Sequence, residues 1–308
     1  MIVTVTPNPS IDRTLRIGRL ERGAVIRVSS VTDEAGGKGL NVARALAQAG
    51  IEALAVLPMP DRTEATYVAL VGTDATLASV PVCGAMRINL SLVEDDGTVT
   101  KVNEAGPTLD GAAVEELLDR VVGSAIEPDW VVGCGSLPPG MATDFYGRVA
   151  AAVPGSVRVA VDASGPALAA AAEAGVALLK PNRVELEELT GRSLPTLGAV
   201  VDAAAALLDA GVGAVLTSLG PDGALYLWPG GAVHADARID DVANTVGAGD
   251  ALLAGFLAGG GDADAVVTAV AWGVAACRSP GTRMRPVRAE DMAAVVRRAQ
   301  IDRARRLS

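Results

Sequence analysis

Asn244–Asp250 is a glycine-rich turn that ends in an acidic residue where a helix is predicted to begin. Glycines let a backbone approach an anion closely, and the helix that follows directs free N–H groups and its positive end at that anion. Asp250 alone could be a partner for the helix dipole. Beside an anion cradle, however, its carboxylate would repel a phosphate group unless it accepts a proton from an attacking hydroxyl. This combination is typical of phosphoryl transfer.

A second glycine-rich turn, Glu34–Asn41, places Lys38 at the start of another predicted helix. Lysine is rare in this chain: the other two are Lys101 and Lys180, and arginine is used everywhere else. A lysine between glycines is therefore a candidate anion-binding residue, and a solvated loop lysine is the alternative interpretation. Neither turn has the GxxxxGK(S/T) pattern of P-loop NTPases, and no GxGxxG follows the first strand as in Rossmann dinucleotide sites.

Composition excludes several classes of function. The 308 residues carry 26 Lys and Arg against 36 Asp and Glu, a net charge of −10, which argues against a nucleic-acid or anionic-membrane binder. Three widely spaced cysteines without a CxxC pair argue against a disulfide scaffold or a structural zinc site.

The single histidine, His234, is predicted at the surface or at a strand edge. With no leader and no apolar run approaching the ~20 residues of a membrane span, we expect a cytoplasmic protein.

The elements that must position these turns alternate between short β-rich runs and alanine-rich helical stretches. This rhythm predicts a doubly wound, mainly parallel α/β sheet between helices, in a single domain over residues 1–308. The predicted strands are Ile2–Thr6, Ala53–Leu57, Trp130–Gly133, Val157–Val161, Ala177–Leu179 and Ala214–Ser218. The predicted helices are Gly39–Ala49, Gly111–Gly123, Thr143–Ala152, Pro166–Ala174, Arg183–Thr190, Leu197–Ala210, Gly249–Ala258, Ala263–Cys277 and Ala289–Ala304.

One segment breaks this rhythm. The arms of Arg87–Asn103 carry β-forming residues on either side of Asp95-Asp96-Gly97, which predicts an antiparallel hairpin. Thr14–Val31 is also strand-like and poor in helix formers. Together these two segments, about 14–31 and 87–103, are predicted to form a small sheet that stands off the main layer.

Seven segments resemble, in order, the motifs of the ribokinase-like (PfkB) carbohydrate kinases, in the branch of 1-phosphofructokinases, 6-phosphofructokinase-2 and tagatose-6-phosphate kinases. They are TPNPSID (Thr6–Asp12), AGGKGLNVARAL (Ala35–Leu46), GSLPPG (Gly135–Gly140), VDASG (Val161–Gly165), KPNRVELEELTG (Lys180–Gly191), SLGPDGAL (Ser218–Leu225) and NTVGAGDALLAGFLAG (Asn244–Gly259). The segments span nearly the whole chain. The resemblance implies a ribokinase-like α/β fold in which the small sheet is a lid over the sugar.

The resemblance also implies a role for each matching residue. Asp250 would be the base that deprotonates the sugar hydroxyl, and the amides of Gly247, Ala248 and Gly249 would form an anion hole. Glu185 of the NxxE motif would help to hold Mg²⁺, generally through water. The nucleotide-binding positions would be Lys180, Asn182, Ser218, Gly220 and Gly223, and the sugar-binding positions Asp12, Gly37, Lys38, Asn41 and Ser136.

Several of these residues have a plainer interpretation. Asn182 and Glu185 stand where a helix cap and a partner for the helix dipole would stand. Asp12 and Ser136 could serve turns, and Lys180 could face solvent. The sequence GPDG after Leu219 is an ordinary hairpin turn sequence.

Two features favour a substrate that already carries a phosphate. The first is the opening NPSID (Asn8–Asp12), which differs from the start expected in ribose or nucleoside kinases, and the second is Arg87. Arg87 matches an arginine that binds the substrate phosphate in the phosphofructokinase branch, and Arg27 on the other lid segment could reach the same anion. The GGKG turn resembles that of 1-phosphofructokinases and tagatose kinases. The favoured reaction is phosphorylation of fructose 1-phosphate to fructose 1,6-bisphosphate. The alternatives are a tagatose-6-phosphate kinase or 6-phosphofructokinase, a kinase of an unphosphorylated sugar or nucleoside, and a non-catalytic sugar-phosphate sensor.

Two segments depart from the family pattern. Pro58–Glu64 lacks the usual glycines after the second strand, which predicts a different path for a loop at the sugar end or at the subunit contact. Cys277–Thr282 looks shortened in a region that contributes to the adenine pocket and, in some members, to a potassium site. The resemblance implies ATP and Mg²⁺, with K⁺ as an optional cation, and a homodimer formed through the lid sheet.

Overall fold

The computed structural model describes residues 1–124, 128–281, 283–298 and 300–308. The strands are β1 (Ile2–Val5), β2 (Ser10–Ile17), β3 (Ser30–Gly36), β4 (Ala53–Pro60), β5 (Thr76–Val82), β6 (Arg87–Glu94), β7 (Val99–Asn103), β8 (Trp130–Cys134), β9 (Arg158–Asp162), β10 (Leu178–Leu179), β11 (Val215–Ser218), β12 (Ala224–Trp228), β13 (Gly231–Ala237) and β14 (Val295–Arg298). The helices are α1 (Lys38–Gln48), α2 (Glu64–Val71), α3 (Gly111–Ser124), α4 (Phe145–Ala152), α5 (Gly165–Glu173), α6 (Arg183–Thr190), α7 (Leu197–Asp209), α8 (Ala248–Ala258), α9 (Ala265–Cys277) and α10 (Ala289–Ala293).

The larger sheet has ten strands in the order β14-β13-β12-β11-β10-β9-β8-β1-β4-β5. The strands from β11 to β5 are parallel, and β12, β13 and β14 extend the sheet in antiparallel pairs. Alternate residues of β1 face opposite sides: Ile2 joins one hydrophobic core, and Val3 and Val5 join the other. This two-sided burial is the reason that the central strands are apolar throughout. The predicted doubly wound α/β sheet is confirmed.

The second sheet has four strands in the order β3-β2-β6-β7. β2 pairs with β3 in the antiparallel sense and with β6 in the parallel sense. β6 and β7 form the hairpin expected over Arg87–Asn103, and Asp96 accepts a hydrogen bond from the Thr98 N–H in its turn. The strand-like segment predicted over Thr14–Val31 is not one continuous strand. It contains the end of β2 and the start of β3, and the exposed loop 18–29 joins these two strands.

The predicted helix Ala289–Ala304 is wrong. The helix α10 ends at Ala293, and Val295–Arg298 forms β14, which pairs antiparallel with β13. Alanines and arginines favour a helix locally, but two consecutive β-branched valines beside an open sheet edge gain backbone hydrogen bonds as a strand. Ala299, which the predicted helix includes, lies outside the described residues.

The expectation for His234 is also wrong. This residue lies on β13 between β12 and β14 and is 0% exposed. No strand is predicted from the sequence after Ala214–Ser218, so that prediction lacks the antiparallel strands that enclose His234. Among the described residues, no helix is both long enough and apolar enough to cross a membrane.

The carboxyl ends of the parallel strands meet at one edge of the main sheet. Asp162 ends β9, Lys180 follows β10, and Ser218 ends β11. Ligands of open α/β sheets bind at this edge, because the connections there leave a crevice between neighbouring strands. The predicted site residues on these strands therefore converge through the fold, although the chain separates them widely.

Candidate active site

A buried carboxylate with two lysines lies at this edge. Asp162 is 1% exposed, with its Oδ1 2.7 Å from Lys38 Nζ and its Oδ2 2.9 Å from Lys180 Nζ. Lys38 comes from the first turn of α1, so two distant elements bring two of the three lysines onto one carboxylate. A Cβ added to Gly249 would stand 3.7 Å from Lys180 Nζ. This cluster of Lys38, Asp162 and Lys180 therefore lies beside the glycine-rich turn before α8.

The members of this cluster stabilise one another's charges. Burial alone would raise the pKa of Asp162, but the ammonium groups of Lys180 and Lys38 lower it below its usual range. Burial likewise disfavours the ammonium form of Lys38, but the carboxylates of Asp162 and Asp250 outweigh burial and raise its pKa. Lys38 and Asp162 are therefore both charged near neutral pH, and the lysines present positive charge at the sheet edge.

Asp250 lies in the first turn of α8 and is 8% exposed. The preceding Gly247 has a φ of 81°, a left-handed conformation that glycine adopts readily, and it begins the helix. Asn41 Nδ2 donates a hydrogen bond to Asp250 Oδ2 at 2.8 Å. Burial raises the pKa of Asp250 to about 6, and the nearby Asp162 carboxylate adds to the rise. A carboxylate with this pKa is mostly ionised at neutral pH and can accept a proton from a hydroxyl group.

Asn182 and Glu185 form a capping box at the start of α6. Asn182 Oδ1 accepts a hydrogen bond from the Glu185 N–H at 2.9 Å, and Glu185 Oε2 accepts one from the Asn182 N–H at 2.8 Å. The capping interpretation of this pair is therefore correct. The other carboxylate oxygen, Glu185 Oε1, lies 4.0 Å from Lys38 Nζ and faces the lysine cluster.

The donor set at Glu185 fits Mg²⁺. Magnesium typically takes one or two carboxylates together with waters and substrate phosphates rather than a cage of protein ligands. Glu185 Oε1 lies beyond hydrogen-bonding distance of Lys38 and offers one such oxygen. Within the part of the chain that the structure describes, no group of three or more His, Cys, Asp or Glu side chains is arranged to hold a metal ion.

Ser218–Gly223 forms the tight turn between the antiparallel strands β11 and β12. The Leu219 N–H donates to Gly223 O at 2.8 Å, and the Ser218 N–H donates to Pro181 O at 3.1 Å. The second bond ties this turn to the segment between Lys180 and Asn182. The five predicted nucleotide residues thus fall on two neighbouring strand ends, namely Lys180, Asn182, Ser218, Gly220 and Gly223.

The small sheet has a polar face that carries Asp12. Ser10 Oγ donates a hydrogen bond to Asp12 Oδ1 at 2.8 Å, and Asn89 Nδ2 donates to the same oxygen at 2.9 Å. Gly36 lies next to this carboxylate on β3, and a Cβ at that position would overlap it. A side chain at this position would therefore displace the Asp12 carboxylate from its hydrogen bonds.

Arg87 belongs to the same polar face. It pairs with Ser10 in the β2–β6 register, and strand alternation places it on the side of Asn89. Its side chain is half-buried, and its Nε has no hydrogen-bond partner among the described residues. Burial lowers the pKa of Arg87, and the carboxylate of Asp12 opposes that shift. A guanidinium group with unused donors is suited to capturing a phosphate.

Ser136 and Arg27 lie outside the strands that carry Asp12 and Arg87. Ser136 is exposed after β8, and Asn8 Nδ2 donates a hydrogen bond to its Oγ at 3.4 Å. Arg27 is exposed in the loop 18–29, outside the strand face that carries Arg87. The structure thus groups Asp12 with Arg87, and groups Lys38, Asn41, Lys180, Glu185 and Asp250 around Asp162.

The glycine-free segment Pro58–Glu64 extends the main sheet instead of forming a separate loop. Its three first residues continue β4, and α2 begins at Glu64. Asp61 Oδ1 accepts a hydrogen bond from the Gly84 N–H at 2.9 Å, and Thr63 Oγ1 accepts one from the Met86 N–H at 2.8 Å. These bonds hold the residues that immediately precede Arg87, so this segment fixes the start of β6.

Two members of these clusters, Asp162 and Asn89, are missing from the sequence-based candidates. The sequence held a signal for each. A carboxylate directly after the apolar strand VAV should lie at the sheet edge where ligands bind. Asn89 follows Arg87 by two positions on a predicted strand, which puts both side chains on one face.

Comparison with known proteins places this chain in a family. Residues 6–288 match the family described as pfkB family carbohydrate kinase. This chain belongs to the pfkB family. All seven motif segments lie inside the matched range, whereas residues 289–308 lie outside it.

Members of the pfkB family are similar to this chain over most of their length. A 1-phosphofructokinase of Haloferax volcanii is 39% identical over 281 residues, which cover 86% of this chain and 87% of that protein. A 1-phosphofructokinase of Rhodobacter capsulatus is 38% identical over 83% of this chain and 82% of its own. The crystal structure of phosphofructokinase-2 from Escherichia coli in complex with potassium has a TM-score of 0.86 and 30% identity, covering 95% of this chain and 96% of that chain. The ribokinase-like fold implied by the sequence motifs is confirmed.

Proposed function

We propose that this chain is an ATP-dependent kinase that converts fructose 1-phosphate to fructose 1,6-bisphosphate. The observation that carries the proposal is Asp250, a buried carboxylate with a pKa of about 6 at the positive end of α8. The relatives named 1-phosphofructokinase support fructose 1-phosphate as the acceptor. Tagatose 6-phosphate and fructose 6-phosphate are the alternative acceptors.

Asp250 is the general base of the proposed reaction. Its carboxylate accepts the proton of the C6 hydroxyl while that oxygen bonds to the γ-phosphorus of ATP. The bond from the γ-phosphorus to the β–γ bridging oxygen breaks, and ADP leaves with that oxygen. Asn41 orients the carboxylate through the 2.8 Å hydrogen bond. The N–H groups of Gly247, Ala248 and Gly249 would stabilise the transferring phosphoryl group, as donors at a helix N-terminus do in such sites. In this structure the Ala248 N–H donates to Thr245 O at 3.3 Å.

The nucleotide is proposed to bind along the ends of β10 and β11. The contacting residues would be Lys180, Asn182, Ser218, Gly220 and Gly223. Support comes from the hydrogen bond that joins Ser218 to Pro181, and from Lys180 Nζ, which lies near Gly249. Glu185 would hold Mg²⁺, generally through water, and the metal would neutralise charge on the ATP phosphates. The ammonium groups of Lys38 and Lys180 offset further negative charge.

The sugar phosphate is proposed to bind between the two sheets. Asp12, Gly37, Lys38, Asn41 and Ser136 would contact the sugar, and Arg87 would bind its phosphate, with Arg27 as a second candidate for that anion. The free donor on Arg87 and the hydrogen-bonded set around Asp12 support this assignment. The small sheet would act as a lid that excludes water, so that ATP is not hydrolysed in place of transfer.

The outer face of the small sheet is proposed to pair two copies of this chain. Leu15, Val31 and Leu92 form one apolar row across three strands, and Leu90 and Val102 lie in the next row. Val31 is 53% and Val102 is 54% exposed. A second copy would cover this surface and would give the lid a fixed partner.

Potassium is a candidate second cation because the structure of the E. coli relative contains it. In this chain, Arg278 donates hydrogen bonds to Asp241 at 2.9 Å and to Asp291 at 2.7 Å. This fixed guanidinium supplies positive charge in the segment that the family resemblance connects with potassium. We therefore infer that the proposed reaction does not need K⁺, which the two salts of the assay below test. Thr282 of that segment lies outside the described residues.

The decisive experiment is an ADP-release assay on the purified protein. Mg-ATP is supplied with fructose 1-phosphate, fructose 6-phosphate, tagatose 6-phosphate, fructose or ribose, each in KCl and in NaCl. Asp250→Asn is assayed in parallel. We expect a preference for fructose 1-phosphate, loss of activity by roughly 10²–10⁴-fold in Asp250→Asn, and little difference between the two salts.

The other outcomes are informative. A preference for another ketohexose phosphate would support the proposed kinase activity and would assign a different acceptor. Turnover on ribose or fructose alone would reject the phosphate-binding assignment of Arg87. Binding of a sugar phosphate without turnover on any acceptor would identify a sensor instead of an enzyme.

A further inference from the structure

The C-terminal segment 302–308 lies across the start of α7. The Leu197 N–H donates to Arg305 O at 2.9 Å, the Gly198 N–H donates to Arg303 O at 3.0 Å, and the Leu307 N–H donates to Pro195 O at 3.1 Å. The Leu307 side chain packs against the hydrophobic core on this side of the sheet. The segment therefore has a defined position, although it lies outside the residues that match the family.

This segment meets the turn Ser218–Gly223 at Asp222. Arg305 Nη2 donates to Asp222 Oδ1 at 2.9 Å, and the Ser308 N–H donates to Asp222 Oδ2 at 2.7 Å. Arg305 Nη1 donates to Asp236, which also accepts two hydrogen bonds from Arg298. Asp222 is 6% and Asp236 is 7% exposed. Two buried carboxylates therefore depend on guanidinium groups from the C-terminal residues.

The same turn is held from its other side by His234. His234 Nε2 lies 2.7 Å from the carbonyl oxygen of Asp222, and since a carbonyl only accepts, Nε2 carries the hydrogen. Burial lowers the pKa of His234, which favours the neutral ring. Gly223 is pressed against β13, where a Cβ would overlap the carbonyl of Ala235. The backbone of the turn therefore has little room to adjust if Asp222 moves.

Arg305 pairs with a buried carboxylate, so replacing Arg305 should change the conformation of this turn. Removing an exposed ion pair would have a smaller effect. Removing one partner of a buried pair leaves an uncompensated charge, which must protonate or move toward water. Either response shifts Asp222, which lies between Gly220 and Gly223, the two glycines assigned to nucleotide binding. The residues assigned to the sugar phosphate lie on the small sheet, at the start of α1 and after β8, and none of them takes part in this contact.

We propose that Arg305 is a positioning residue for ATP: it fixes the turn Ser218–Gly223 through Asp222 while the C-terminal segment fixes Arg305. This inference rests on the proposed function, because it takes that turn as the nucleotide site. It predicts a defect in nucleotide binding that leaves sugar-phosphate binding unchanged.

Arg305→Gln tests the inference, with Arg303→Gln as the matched control. Arg303 belongs to the same segment but pairs with Asp202 on α7 at 2.6 Å. The measurements are the Kd of ADP by calorimetry, the KM values of Mg-ATP and fructose 1-phosphate, kcat, and the Tm without ligand. For Arg305→Gln we expect the Kd of ADP and the KM of Mg-ATP to rise roughly tenfold. Its kcat at saturating ATP and its KM for the sugar phosphate should stay within about twofold of wild type, as should every value for Arg303→Gln.

Asp222→Asn provides a second variant, because it removes the charge from the turn while Arg305 keeps Asp236. The same nucleotide-specific loss would support the inference, and this variant decides the question if Arg305→Gln does not fold. Equal losses for both substrates, or a lower Tm with unchanged ADP binding, would overturn it. Wild-type protein that binds ADP but phosphorylates no sugar would contradict the proposed reaction. The Kd values of ADP for wild type and Arg305→Gln would still test whether Arg305 positions the turn. Wild-type protein that binds no nucleotide would contradict both.

Discussion

At the scale of single residues, the buried carboxylate of Asp250 should control the pH dependence of the reaction. Its pKa of about 6 means that half of the base is protonated near pH 6. We expect kcat to rise about tenfold per pH unit below this value and to level off above it. Because Asn41 lowers the pKa of Asp250 through its hydrogen bond, Asn41→Ala should move the acid limb to higher pH. If the acid limb of the kcat profile does not move in Asn41→Ala, the group that titrates there is the phosphate of the substrate and not Asp250.

The same raised pKa should destabilise the folded protein. Asp250 has an ordinary pKa of 3.8 when unfolded and about 6 when folded, so the unfavourable effect of its charge is complete above about pH 6. As the pH falls from 6 to below 4, this effect disappears. Asp250→Asn should therefore raise the free energy of unfolding by about 1–3 kcal/mol at pH 7.5 and by less at pH 5. Urea denaturation at the two pH values measures the difference, and a variant less stable than wild type at pH 7.5 would contradict the prediction.

Arg87 should determine affinity for the substrate phosphate. Replacing it with alanine removes charge-assisted hydrogen bonds, so we expect the KM of fructose 1-phosphate to rise roughly 10–100-fold with the KM of ATP unchanged. Arg13→Ala is the matched control, since Arg13 lies on the opposite face of the same sheet and pairs with Asp33 at 2.7 Å. Similar KM values of fructose 1-phosphate in the two variants would show that Arg87 does not bind the substrate phosphate.

At the scale of elements, the segment between β4 and α2 should influence the sugar site through the start of β6. Thr63→Val keeps the size of the side chain but leaves the Met86 N–H without its acceptor. We expect the KM of fructose 1-phosphate to rise about twofold to fivefold, with a smaller change for ATP. Thr32→Val on the exposed part of β3 serves as the control. Steady-state kinetics that show no difference between the two variants would limit Asp61 and Thr63 to a role in stability.

The helices and strands also show which parts of the fold can be predicted from the sequence alone. The apolar strands, the glycine turns before α1 and α8, and the hairpin of the small sheet could be predicted because their signals are local. The pairing of Lys38 with Asp162 could not, because it joins residues 124 positions apart through the strand order. Val295–Arg298 was assigned to a helix for a related reason: its conformation is decided by the open edge of β13 and only weakly by its own composition.

At the scale of the whole molecule, the small sheet should determine the oligomeric state. A charge in the apolar row at Leu92 would disfavour contact with a second copy, so Leu92→Asp should sediment as a monomer if the wild type is a dimer. Val99→Asp is the matched control, because Val99 is 50% exposed on the opposite face of the same hairpin. Analytical ultracentrifugation distinguishes these cases. A wild-type monomer, or a Leu92→Asp dimer, would exclude this face as the interface.

The central place of β1 constrains the order in which the chain can fold. β1 is made before both of its partners: it pairs with β4 on one side and with β8 on the other, and β8 emerges much later. Until Trp130–Cys134 leaves the ribosome, an apolar strand exposes an unpaired edge, which is a template for aggregation. Parallel strands that are far apart in the sequence also pair slowly. A nascent chain that stops before β8 should therefore depend on chaperones, and release from them should coincide with the arrival of that strand.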